Sequence, residues 1–192
     1  MRINRYLAQA GLGSRRACEA LVLSGDVTVN GKTINDLGTK IGPKDQVKVG
    51  RKLIRAEQSM TAVLYKPPGY LCTADDPDKR KTIYDLIPKD WPRVFYVGRL
   101  DNDSEGLLIV TNDGALSQRL THPKYKLPKT YEVVLDEDFN FEEAPKLLKG
   151  MLIEGEWGKF DEIYSLGGKS VKVVLTQGIK RQIRLMLSLI HI

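Results

Sequence analysis

The chain has 192 residues, 42% of them hydrophobic and 28% charged, with 17 Gly and 9 Pro. That globular composition excludes a collagenous, low-complexity or wholly disordered chain. Lys and Arg exceed Asp and Glu by six, and the whole surplus sits in residues 1–58, which carry 11 basic and 5 acidic side chains. The other 134 residues balance at zero, so a basic module suited to a polyanion is joined to a neutral body.

No apolar run is long enough to span a bilayer, and the start, Met1-Arg2-Ile3-Asn4-Arg5, lacks the apolar core of a secretory signal. The two cysteines, Cys18 and Cys72, stand apart from any Cys-x-x-Cys or Cys/His cluster. That speaks against a structural disulfide or a zinc site and fits a reducing cytoplasm. Cys18 is expected to be a small core residue.

Ile3, Tyr6, Leu7 and Ala10 recur at spacings of three and four, which predicts a short amphipathic helix ended by Gly11 and Gly13. Ser14 is placed to N-cap a second helix over residues 15–24, with Ala17, Cys18, Ala20 and Leu21 as its apolar stripe. Arg15 and Arg16 fall in its first turn, where cations oppose the helix dipole at a cost of roughly a few tenths of a kcal/mol. Arginines in that place serve a partner rather than the fold. Val27-Thr28-Val29, Asn30-Gly31 and Lys32-Thr33-Ile34 predict a hairpin, because both turn residues tolerate positive φ. A further strand over Gln46–Val49 closes the module, and Glu57-Gln58-Ser59 reads as a linker.

In the body, Met60–Tyr65 reads as a strand and Lys66-Pro67-Pro68-Gly69 as a turn, since two prolines stop both helix and sheet. A charged loop over residues 75–81 precedes a short helix at Ile83–Leu86. Between the apolar strands Val94–Val97 and Leu107–Val110 lies a polar loop, 98–106, holding Arg99, Asp101, Asp103 and Glu105 between two glycines. Loops positioned by a sheet are where chemistry usually sits. A helix at Ala115–Leu120 and a strand opened by Lys129-Thr130-Tyr131 follow. The acidic stretch 136–143 leads into a helix through Leu148, and Gln177–Arg184 is a strand-to-helix junction.

Residues 2–58, with Gly13-Ser14-Arg15-Arg16 and Val27 to Lys32, resemble the S4 RNA-binding domain. The resemblance implies RNA held on the helical face, with Arg5, Arg15, Arg16 and Lys32 contacting phosphates. Such contacts give salt-dependent affinity and little sequence information. Lys66-Pro-Pro-Gly, Gly98-Arg-Leu-Asp…Ser104-Glu-Gly-Leu-Leu, Thr111-Asn-Asp-Gly, Lys129-Thr-Tyr and Gln182-Ile-Arg, in that order, resemble the rRNA pseudouridine synthases that carry an N-terminal S4 domain.

That resemblance implies an α+β protein. An S4 (αL-type) domain over 1–58 precedes a synthase domain over 59–192 with a mixed, largely antiparallel sheet flanked by helices. Asp101 becomes the catalytic carboxylate, acting as a nucleophile or by stabilising a developing positive sugar centre; both routes stay open. Burial raises a carboxyl's pKa, so a cation is needed to keep it ionised, and the family places Arg184 there. Tyr131 would stack on the target base and handle a proton. Ile183 would supply apolar wall beneath the ring. Arg99 would brace the gap left by a flipped base, with Leu100 and Lys129 as further substrate contacts. Asp103 and Glu105 are assigned to loop geometry, and His122 to structure. Lys124, Lys126 and residues 79–81 are candidates for the RNA path.

No cofactor, metal, membrane or protein partner is implied, and the expected partner is ribosomal RNA or a pre-ribosomal particle met by a monomer. The wording of the N-terminal motifs leans toward large-subunit RNA. Beyond Leu187 the family pattern stops, so residues 188–192 read as a foreign tail on a synthase domain truncated at its C-terminus. A non-catalytic RNA-binding or ribosome-assembly factor that keeps the fold is the alternative.

Overall fold

Helices α1 (Ile3–Gln9) and α2 (Arg15–Leu23) pack on each other in the computed structural model, which describes residues 1–190. Ser14 caps α2 as expected, its Oγ accepting from the Ala17 N–H at 3.1 Å. The apolar stripe of α2 differs from the expected one. Cys18 and Val22 are buried with Leu21 partly so, whereas Ala17 and Ala20 are exposed. Asn4, buried on α1, donates to Glu19 at 2.6 Å and ties the two helices by a polar contact.

Strands β1 (Val27–Val29) and β2 (Lys32–Thr33) form the expected hairpin, with Asn30 at φ 51° and Gly31 at φ 82°. With β3 (Val47–Val49) and β4 (Lys52–Ile54) they make an antiparallel sheet in the order β2-β1-β3-β4. Beneath it Ile3, Leu7, Cys18, Val22, Val27 and Val47 are fully buried, each larger aliphatic contributing roughly 2 kcal/mol. Strand β4 is unannounced by pattern: of its three residues only Ile54 is buried.

β5 (Thr61–Lys66), β6 (Phe95–Val97) and β7 (Gly106–Thr111) form a second antiparallel sheet with β7 central. Its core gathers Cys72, Ile83, Val94, Leu108 and Val110. Thr111 and Asn112 lock the strand ends. Asn112 accepts from the Met60 N–H at 2.7 Å and donates to the Gln58 carbonyl at 2.9 Å. The segment expected as a helix at Ile83–Leu86 is a single 3-10 turn. Helix α3 spans Gly114–Thr121.

A third sheet is β11 (Glu162–Gly167), β12 (Ser170–Leu175) and β8 (Lys129–Val134), antiparallel with β12 central. Helix α4 (Ala144–Lys149), the hairpin β9 (Met151–Ile153) and β10 (Glu156–Gly158), and helix α5 (Gln182–Ile190) complete this part. Phe160, Leu147, Val171, Val173 and Met186 fill the core. At the end of α4, Gly150 has φ 100°, and a Cβ there would lie 2.9 Å from the Gly158 carbonyl oxygen.

The class is α+β as expected, with the strands of the body divided among three sheets. By contacts the chain falls into two units, Met1–Ser117 and Gln118–Ile192, a division inside the expected second domain. Both cysteines are buried and unbridged. No helix among the described residues is long and apolar enough to cross a membrane. Of the expected foreign tail, Ser188 and Leu189 continue α5, while residues 191 and 192 lie outside the described residues.

Candidate active site

Antiparallel neighbours β6 and β7 hold the loop 98–105 between them, and Asp101 stands exposed on it. What fixes this loop is Lys66, the last residue of β5, which pairs with Gly106 at the start of β7. Its side chain is fully buried. The Lys66 ammonium donates to three carbonyls: Ser104 at 2.6 Å, Pro67 at 3.1 Å and Asn102 at 3.2 Å. The Gly69 N–H also donates to the Asn102 carbonyl at 2.8 Å, so the prolyl turn and the acidic loop form one knot. Burial pushes the Lys66 pKa down, while Cys72, Asp103 and Asp101 pull it back up. A positive charge thus lies under the loop that carries the acids, where low polarisability makes it effective. From the sequence, Lys66-Pro-Pro-Gly reads as a turn and a family motif with no role for the lysine side chain; two of the loop's carbonyls, turned inward, need a buried donor that no periodicity reveals.

Arg99 and Asp101 share a cavity of about 220 Å³ with Cys72, Thr73, Asp76 and Arg80. The facing wall is a strap from Leu71 to Thr82, whose ends meet in a parallel bridge. Arg80 fastens it. Its guanidinium makes two bonds to Asp76, at 2.6 and 3.0 Å, and its backbone N–H adds a third at 2.9 Å. These bonds hold the Asp76 carboxyl down to about 2. Leu100 turns inward, packing on the sheet's core, and its N–H donates to the Cys72 sulfur at 3.5 Å. Among the described residues no cluster of three or more His, Cys, Asp or Glu is placed to hold a metal ion.

The other expected site residues belong to the second unit. Lys129 and Tyr131 lie on β8, Tyr131 opposite Val173 and packed against the core. Lys129 Nζ reaches the Leu127 and Thr176 carbonyls, both at 3.4 Å. Ile183 and Arg184 open α5, Ile183 on the core and Arg184 exposed. Their placement depends on Gln182, which is buried and donates to the Lys159 carbonyl and to Gln177, each at 2.9 Å. The role of Gln182 as the anchor of α5 also went unread in the sequence, because polar residues give no apolar stripe.

On the N-terminal module Arg15 and Arg16 are exposed in the first turn of α2, which has no acidic residue there. Lys32 is exposed on β2, and Arg5 is half-buried on α1. Arg93, just ahead of β6, donates to the Gly13 carbonyl at 3.0 Å, so the turn between α1 and α2 is pinned within this unit.

A basic helical module thus precedes an α+β body whose aspartate-bearing loop rests on a buried lysine. A family profile described as RNA pseudouridylate synthase matches residues 60–189, and an S4 domain profile matches residues 1–47. The chain belongs to the RNA pseudouridylate synthase family and carries an S4 domain; its enzyme class is that of the pseudouridine synthases. An RNA pseudouridine synthase of Aquifex aeolicus (strain VF5) is 44% identical over 166 residues, covering 85% of this chain and 66% of that protein. The ribosomal large subunit pseudouridine synthase B of Bacillus subtilis (strain 168) is 36% identical over 191 residues, covering 96% of this chain and 78% of that protein. A crystal structure of a pseudouridylate synthase matches with a TM-score of 0.68 at 25% identity, over 100% of this chain and 84% of that one.

Proposed function

We propose that this chain converts uridine in ribosomal RNA, of the large subunit, to pseudouridine, in the cytoplasm and without a cofactor. The observation that carries the reading is the exposed Asp101 on a loop whose carbonyls are gripped by the buried Lys66. The name of the Bacillus subtilis relative supports the large-subunit assignment.

The reaction is an isomerisation. The N1–C1′ bond of uridine breaks, the uracil turns, C5 bonds to C1′, and the C5 proton departs to N1 by way of a base and solvent. Atoms and charge balance with no oxidant. Asp101 is the catalytic carboxylate. Arg184 supplies the cation for that carboxylate, Tyr131 stacks on the base and handles the proton, and Ile183 is apolar wall. Arg99 braces the gap left by the flipped base, Leu100 lines the cavity beside it, and Lys129 contacts a phosphate. Residues 1–58 hold RNA through Arg5, Arg15, Arg16 and Lys32, and residues 59–192 form the catalytic domain.

Pseudouridine mapping of rRNA from cells with and without the protein tests this and names the site. Asp101→Asn is expected to abolish the modification while RNA affinity stays at the wild-type value. Equal modification by both proteins refutes the assignment of Asp101; no modified position with either, alongside intact RNA binding, favours a non-catalytic binding protein.

A further inference from the structure

Residues 118–131 contain no Asp or Glu but hold Arg119, Lys124, Lys126 and Lys129. Every residue from 121 to 130 is exposed. Exposed lysines ordinarily float in solvent; this segment instead has a built geometry. Pro123–Tyr125 is a 3-10 turn with Pro123 at its start, and Lys126 closes it in a left-handed conformation at φ 45°. The His122 ring caps the turn, its Nδ1 accepting from the Lys124 N–H at 3.2 Å. The same ring meets Tyr125 edge-on, with centroids 6.2 Å apart.

Tyr125 is 44% exposed, and the Lys124 ammonium lies 4.7 Å from its ring centroid. A second anchor is Lys129, whose ammonium reaches the carbonyls of Leu127 and Thr176. The segment therefore projects an aromatic ring and flanking cations on a short, braced stem, with no carboxylate of its own to compete for the cations. An aromatic platform beside basic side chains is what single-stranded nucleic acid requires: any base has a π-face to stack, and phosphates follow at each side.

We propose that His122–Lys129 is a docking arm for single-stranded RNA, in which Tyr125 stacks on a base and Lys124 and Lys126 pair with the adjoining phosphates. The arm runs directly into β8, so Tyr125 and Tyr131 are joined by at most about 20 Å of chain. It holds RNA flanking the reacting nucleotide and belongs to a different unit of the chain from the S4 module. The assignment rests on the reading of the chain as an RNA-modifying enzyme.

The test is binding of a short uridine-rich single-stranded oligoribonucleotide by the full chain, followed by anisotropy across a salt series. Asp101→Asn serves as the background so that turnover is absent. Removing two phosphate contacts from single-stranded RNA lowers the slope of log K against log salt by about 1.4. That is the expected result for Lys124→Gln/Lys126→Gln, whatever the S4 module contributes. Tyr125→Ala is expected to weaken binding about tenfold, and Tyr125→Phe to keep wild-type affinity, since the ring and not the hydroxyl does the stacking. These positions are exposed, so melting midpoints should match the parent's. An unchanged salt slope, or equal losses for Tyr125→Ala and Tyr125→Phe, overturns the proposal. Pseudouridine formation by the Asp101 protein is scored separately: a changed slope with no modification leaves the arm standing and removes the catalytic reading.

Discussion

Replacing Lys66 by Met keeps the length of the side chain and removes the ammonium that three carbonyls share. The Asn102 carbonyl retains the Gly69 N–H at 2.8 Å, so the loss falls on Pro67 and Ser104. A buried acceptor left without its donor costs roughly 1–3 kcal/mol. Relief from burying an ammonium, whose pKa is pushed down by its surroundings, offsets part of that. The net expectation for Lys66→Met is a loss of about 2–3 kcal/mol, or about 5–10 °C in melting midpoint for a chain of this size. The larger consequence is for turnover. A displacement of about 1 Å at a reacting group costs on the order of 100-fold, so kcat should fall by that order while affinity for RNA is kept. Calorimetry together with single-turnover pseudouridine formation measures both. A Lys66→Met protein that melts and turns over like wild type refutes the anchoring role. Asp101→Asn is the companion: activity lost, melting unchanged.

Two further outcomes are expected. The Asp76 carboxyl titrates near 2 in the folded chain against an ordinary 3.8; a lowered pKa adds stability above the unfolded value and loses it as pH falls toward 2. Melting midpoints between pH 5 and 2.5 should therefore fall more steeply for wild type than for Asp76→Asn, and parallel curves count against the strap fastener. Gly150→Ala should cost about 3 kcal/mol in urea unfolding, combining a left-handed backbone with a clash against a fixed carbonyl. Gly155→Ala, at φ 85° with nothing within 4 Å of its Cβ, should cost only about 1 kcal/mol; equal losses contradict the packing argument.

The parts of the fold legible in the sequence are those fixed by local chemistry. Ser14 had to cap α2, and Asn30-Gly31 had to turn β1 into β2, because few residue types serve those positions. Strands β11 and β12 carry no sequence expectation, although β12 buries Val171, Val173 and Leu175 in alternation while β11 covers little. The stripe of α2 is half legible: Cys18 and Leu21 turn inward as expected, but Ala17 and Ala20 are small enough to sit on either face and Val22 supplies the contact. At the candidate site the acidic loop was legible as a motif. Lys66 and Gln182 belong to motifs too, but their anchoring roles are not legible: each is a polar side chain buried to satisfy backbone from a distant segment, and such pairings have no local signature.

The knot between the prolyl turn and the acidic loop has a consequence for transplanting this chemistry. Residues 98–106 cut out alone would carry Asp101 into a new scaffold with the inward carbonyls of Asn102 and Ser104 bereft of their cation. The smallest portable unit is discontinuous: β5 with its Lys66-Pro-Pro-Gly ending, and the β6–β7 hairpin it grips. Any graft, circular permutation or split of the chain that separates those two pieces should lose the shape of the loop even where every acidic residue is retained.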